Sequence, residues 1–203
     1  MTKTDLTKSE AKTKAVLQGA MKEFLQNGYS GTSMDKVAKS AGVSKATVYS
    51  HFGDKENLFN AVMQDLVKGK FQTMMGLEKP QLLEQDPQVV LSAMATKMLA
   101  NAQSDRSLQD FMRIVIGESG RFPELAKAYV NNVAKPAIEI MTKYFKSHPA
   151  LKLEDPEAAV RVMMGTMIYF VILQEMMHGK DVVPIEGDRV IETLTSLITK
   201  SQD

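Results

Sequence analysis

The chain has 203 residues, 44% of them hydrophobic and 24% charged, which is enough to bury a real core in one sizeable domain or two small ones. Cysteine is absent, so disulfides, zinc–thiolate sites and cysteine nucleophiles are excluded. The formal net charge is only +1, but it is unevenly spread: residues 1–60 hold nine lysines against six carboxylates, and the remainder is slightly acidic.

The N-terminal residues MTKTDLTKSE lack the apolar run of a signal peptide. The longest apolar run, Val162 to Leu173, falls short of the roughly 20 residues a membrane span needs. The expectation is a cytoplasmic protein without a membrane partner.

A first helix is expected from about Ser9 to Asn27, because Val16, Leu17, Ala20, Met21, Phe24 and Leu25 recur on one face, and Gly28 ends it. The stretch Thr32 to Phe52, TSMDKVAKSAGVSKATVYSHF, then reads as two short helices joined by a tight turn. Thr32 is the expected N-cap, with Asp35 completing a capping-box pattern. Val37, Ala38 and Ala41 form the apolar stripe of the first short helix. Gly42 suits the left-handed backbone that stops it, and Val43 fills the angle. Ser44 caps a second helix, Lys45 to Ser50, which Val48 anchors.

In a helix-turn-helix the second helix enters the DNA major groove. Phosphate contacts position such a protein and base-edge contacts specify sequence. Thr32 and Ser33 are the candidates for phosphate, and Lys45, Ala46, Thr47 and Ser50 for base edges. An ordinary helical hairpin has the same local pattern; in it Tyr49 packs into the core and His51 merely caps the helix. The outward set has no arginine, asparagine or glutamine, so bidentate base reading is poor and DNA shape and water carry more of the specificity.

Asp54 caps a long fourth helix expected to reach about Met75, with Leu58, Phe59, Val62, Met63 and Leu66 inside. A loop over Gly76 to Asp86 follows, then helices near 88–103, 105–119 and 122–147, the last kinked at Pro136. Asp155 and Pro156 open a helix to about His178, and a final one covers Asp188 to Lys200. The expected fold is all-α, with a helix-turn-helix domain over residues 1–56 and a second helical domain over 57–203.

The residues Ala20 to Leu25, Asn27-Gly28-Tyr29, Ala41 to Ser44, Thr47 to Phe52 and Asp54 to Leu58 closely resemble the tetracycline-repressor (TetR) family of bacterial one-component regulators. The resemblance covers about residues 9–66; beyond it, RIVIGESGRFPEL within Phe111 to Leu125 looks like the ligand domain of one branch. It implies an all-helical homodimer that binds a palindromic double-stranded operator and lets go when a small molecule occupies the C-terminal domain. The positions of Tyr49, His51 and Lys55 match family phosphate contacts.

The helix from Pro156 to His178 is apolar almost all round, so it must be covered on several sides. Val160, Met164, Ile168, Val171 and Ile172, with Val190, Leu194, Leu197 and Ile198 of the last helix, are the expected dimer face; a buried central helix in a monomer is the alternative. Fifteen methionines, most after Met63, suit a pocket for varied apolar shapes, though methionine is also ordinary core filler. Met94, Met98, Phe111, Val115, Tyr129, Met167 and Phe170 are candidate walls, with Glu118 and Gln174 as polar groups. Glu118 either meets the ligand or pairs with Arg121.

His51, His148 and His178 lie far apart in sequence, no metal-ligand spacing appears, and no nucleophile–base pair can be picked out. The expectation is therefore a ligand-released transcriptional regulator, not an enzyme, with no metal or cofactor. The alternative is a DNA-binding regulator that senses no small molecule and acts by occupancy or by recruiting a partner.

Overall fold

The structure, a computed structural model, describes residues 3–67, 81, 84–104 and 106–200, and side-chain surroundings among residues 9–66, 81, 84–104 and 106–200. The described residues are helical with no strand: α1 (Lys3–Gly31), α2 (Met34–Ala41), α3 (Lys45–Phe52), α4 (Lys55–Val67), α5 (Pro87–Ser104), α6 (Arg106–Glu118), α7 (Pro123–Tyr129), α8 (Lys135–Ser147), α9 (Pro156–Phe170) and α10 (Gly187–Lys200). The continuation of α4 toward Met75 and most of the loop from Gly76 lie outside the described residues.

The chain packs as two compact units, Met1–Lys68 with Ser107–Val133, and Gly69–Arg106 with Ala134–Asp203. A single cut between residues 56 and 57 does not reproduce this division, because α6 and α7 share the core of α1–α4. In that first unit Val16, Ala20 and Phe24 of α1, Val37 of α2, Val48 of α3 and Leu58 and Phe59 of α4 are completely buried. Rings dominate its centre. Phe59 meets Phe24 and Tyr29 edge-on at 5.1 and 5.3 Å and stacks on Phe111 of α6 at 4.7 Å. Close approach of α1 to α2 depends on Gly19, where a Cβ would lie 2.8 Å from the Ala41 backbone nitrogen.

The second unit is built on Leu91, Ala95, Met141, Phe145, Val160, Met163, Met167, Ile191 and Leu194. Its α9 starts as expected, with the Asp155 carboxylate accepting from Ala158 N–H at 3.0 Å and Pro156 in the first turn. His148 is 4% exposed and its ring is fixed in one tautomer. Nδ1 accepts from Ala150 N–H at 3.2 Å, so Nε2 carries the proton and donates to Gln85 O at 3.0 Å.

Two π-helical turns replace expected α-helix. Val130–Ala134 precedes Pro136, whose ring collides with the carbonyl four residues back and which has no N–H to give it. A wide turn is the result where a simple kink is expected. Val171–Met176 continues α9, making Pro156–Met176 a 21-residue helical stretch of mean hydropathy 1.4. By length and composition it could cross a membrane, contrary to expectation, but such helices are also common in protein cores.

Burial pushes Tyr29 up from 10.0 to about 12, helped by Glu124, Glu56 and Asp54, and pushes Tyr144 to about 12, helped by Asp86. Between the unfolded and folded values the folded chain holds protons that the unfolded chain has released. Stability therefore falls as pH rises from 10 toward 12. Burial raises Tyr129 as well, so tyrosinate absorbance should show three of the five tyrosines titrating late; a single step for all five would contradict this.

Candidate nucleic-acid interface

The turn between α2 and α3 is closed by Gly42, at φ 67 and ψ 29. Its N–H and that of Val43 donate to Lys39 O and Ala38 O, satisfying the carbonyls at the end of α2. Ser44 then caps α3, accepting from Thr47 N–H at 3.1 Å, and its hydroxyl pairs with that of Thr47 at 2.8 Å. With Val48 fully buried, α3 presents Lys45, Ala46, Tyr49, Ser50 and His51 to solvent, and Thr47 partly. A short helix capped at its start, anchored once and polar outside is a rigid reading surface.

The cap of α2 differs from expectation. Ser33 is the N-cap, its hydroxyl accepting from Lys36 N–H at 3.3 Å. Thr32 is 3% exposed, and its hydroxyl is 2.8 Å from Gly28 O and 3.0 Å from Glu23 O, to which it donates. Thr32 thus ties the end of α1 to the start of α2, and Ser33 is left as the hydroxyl facing outward. Asp35 closes no capping box. It holds Lys45 Nζ at 2.8 Å, a pair exposed on both sides, and this hydrogen bond and charge raise the Lys45 pKa. The spacing of ten residues across the turn could have revealed this partner, because both groups sit at helix N-termini.

Two further candidates have partners within the chain. Lys55 Nζ donates to Tyr29 O at 2.9 Å and Thr32 O at 3.0 Å and lies 4.3 Å from the centre of the Tyr29 ring. It is a clamp on the polypeptide. Burial lowers its pKa, opposed by the charge of Glu118. His51 Nδ1 donates to Thr47 O at 2.9 Å, so the ring caps α3, and Nε2 can donate to a phosphate only when the ring is doubly protonated. Tyr49 is 44% exposed and is not core-packed.

The candidate ligand residues divide between the two units. Phe111 and Val115 are 1% and 4% exposed in the core of the first unit, where Tyr129 packs as well. Glu118 also belongs there, accepting from Ser30 N–H at 3.3 Å. Met94, Met98, Met167 and Phe170 lie in or against the core of the second unit. Gln174, 2% exposed, sits on the second π turn; its amide donates to Val183 O at 3.0 Å while Oε1 has no partner among the described residues. Of the expected dimer residues, Val160, Leu194 and Ile198 are buried in the chain itself. Met164, Ile168, Val171, Ile172 and Val190 are half-buried and Leu197 is 66% exposed. Among the described residues no group of three His, Asp or Glu is gathered that could hold a metal ion.

Freeing Lys45 should strengthen DNA binding without regard to sequence. Asp35→Asn removes both its partner and a negative charge beside the phosphates. Non-operator affinity should rise, with a log K against log salt slope steeper by roughly one unit. An unchanged slope in a fluorescence-anisotropy titration would argue that the pair does not face DNA.

Residues 16–62 match the family described as bacterial regulatory proteins, tetR family, and residues 71–198 match the C-terminal domain of AefR-like transcriptional repressors. The HTH-type transcriptional regulator YhgD of Bacillus subtilis (strain 168) is 47% identical over 55 residues, which are 27% of this chain and 29% of YhgD. The chain therefore aligns with less than a third of that relative's length. Over whole chains, the structure of a TetR-family regulator from Mesorhizobium loti MAFF303099 superposes with a TM-score of 0.75 at 23% identity, covering 99% of this chain and 98% of the other. The flavonoid-responsive regulator FrrA superposes with a TM-score of 0.72 at 27% identity, covering 94% and 96%.

Proposed function

Because the chain belongs to the TetR family of bacterial transcriptional regulators, we propose that it is a homodimeric, ligand-responsive repressor in the cytoplasm that binds a palindromic operator and is released by a small effector. The observation that carries the DNA reading is the α3 surface: Lys45, Ala46, Tyr49, Ser50 and His51 exposed on a helix capped by Ser44 and anchored by Val48. Ser33, Tyr49 and, in the doubly protonated ring, His51 Nε2 are the phosphate-facing groups, and Lys45, Ala46, Thr47 and Ser50 face base edges.

Dimerisation is supported by what α9 leaves uncovered. Only 22% of its most apolar stretch is buried within the chain. Val162 and Tyr169 are 60% and 64% exposed, two turns apart on one face, and Gly165 between them is exposed. With Leu197 of α10 they make an apolar face for a second copy. This moves the proposed contact away from Val160, Leu194 and Ile198. A two-fold dimer would set two recognition helices about 34–36 Å apart along one face of the duplex.

The effector follows from the second unit. Its core is apolar, the buried polar side chains described there (Thr142, His148, Gln174 and Thr195) are all uncharged types or a neutral imidazole, and Gln174 Oε1, Tyr144 OH and Thr142 Oγ1 lack partners among the described residues. Such a core suits an uncharged, largely apolar molecule with a few hydrogen-bonding groups. FrrA, which responds to flavonoids, lends weight to a hydroxylated aromatic ligand. For release, that ligand must bind the operator-free form more tightly.

The test is enrichment of genomic fragments by the purified protein, followed by release assays. Uncharged polyphenols should free the fragment where fatty acids and cationic compounds do not. Failure to select any fragment would sink the DNA reading. Selection without release by any compound would favour a regulator acting by occupancy alone.

A further inference from the structure

Helix α1 is broken near its end at Gly28, and the elbow Gly28–Thr32 leads from there into α2. Gly28 has φ 68 and ψ 175, a conformation closed to side-chain-bearing residues. Within the elbow Thr32 N–H donates to Tyr29 O at 3.3 Å. Two charged side chains from elsewhere in the first unit bind its backbone further. Lys55 of α4 donates to the carbonyls of Tyr29 and Thr32 at 2.9 and 3.0 Å. Glu118, the last residue of α6, receives the Ser30 N–H at 3.3 Å, and its Oε1 lies so close over Gly28 that a Cβ there would be 3.3 Å away.

The two charges act on one another, since Glu118 partly restores the Lys55 pKa that burial lowers. Neighbours of Glu118 fasten the same place. Phe122, whose N–H donates to Glu118 O at 2.8 Å, meets the Tyr29 ring at 5.0 Å, and Arg121 lies over the Phe122 ring at 5.3 Å.

We propose that Glu118 is a positioning residue for operator binding: through the Ser30 N–H it fixes the elbow from which α2 and α3 are aimed. It touches neither base nor phosphate. A half-buried carboxylate at a helix C-terminus, where the dipole disfavours it, is costly unless it has such work. This rests on the DNA reading proposed above and adds to it the residue by which α6 holds the reading head.

The experiment compares wild type, Glu118→Ala and Glu118→Gln on an operator fragment selected by the wild-type protein and on a random duplex of equal length. Hydrogen exchange of the Ser30 amide is measured alongside. Glu118→Ala should raise Ser30 exchange and lose about ten-fold in operator affinity, as removal of a charge-assisted hydrogen bond implies, with a smaller loss on random DNA. Glu118→Gln retains an acceptor and should fall between the two. Wild-type operator affinity in Glu118→Ala would overturn the proposal. So would equal losses on both duplexes with a lowered melting temperature, which is what mere destabilisation gives. If wild type selects no operator, the DNA reading itself fails first and takes this assignment with it.

Discussion

Phe59→Ala should cost about 3–5 kcal/mol, the range for deleting a large buried ring whose cavity only partly collapses. The ring is completely buried and touches Phe24, Tyr29 and Phe111, so one side chain joins α1, α4 and α6. The surrounding rings are rigid and meet it from three directions, which leaves little room for neighbours to close the gap. For a chain of this size the melting temperature should drop on the order of 10 °C. Phe59→Leu, which retains most of the volume, should lose much less. A thermal or urea melt of both variants decides the matter. Equal small losses would mean that the site collapses freely, and the account of a ring-dominated core would fail.

The helix-turn-helix was legible because its signals are local. Gly42, Val43, Ser44 and Val48 each act on backbone within a few residues, so periodicity and capping patterns were enough. The same locality explains the error at Thr32. Thr32 and Ser33 are both N-cap types, and what separates them is Glu23 O and Gly28 O on the preceding helix, which pull the threonine hydroxyl inward. Long-range choices were not legible. The stripe Phe111, Ile114, Val115 announces that α6 has an inner face, but nothing in it says that the face meets Phe59 of α4. For the same reason the sequence offers Glu118 only a ligand or Arg121 as partner. Its partner is a backbone N–H, and backbone groups leave no mark in a sequence. The all-round apolar pattern of α9 does not say which residues its own chain covers and which, like Val162 and Tyr169, it leaves; only burial shows that.

Lys55→Met is the sharper test, because two accounts of one lysine predict different curves. If Lys55 touches phosphate, its loss weakens every DNA sequence alike and flattens the salt slope by about one unit, since one fewer counterion is released. The geometry predicts something else. Nζ donates to Tyr29 O and Thr32 O and rests on the Tyr29 ring, so removing the ammonium group strips two carbonyls of a cationic donor. Charge-assisted bonds at a partly solvated site, with water replacing some of the loss, should bring the cost to about 1–3 kcal/mol. Glu118 is left beside the elbow without its neighbouring cation. Operator affinity should therefore fall at every salt concentration in parallel, the lines of log K against log salt keeping one slope. The melting temperature should drop as well. Lys55→Arg tests the geometry further: it keeps the charge but not the compact fit between two carbonyls, so it should recover little. Full recovery with arginine together with a flattened slope in Lys55→Met would restore the phosphate role and remove the clamp.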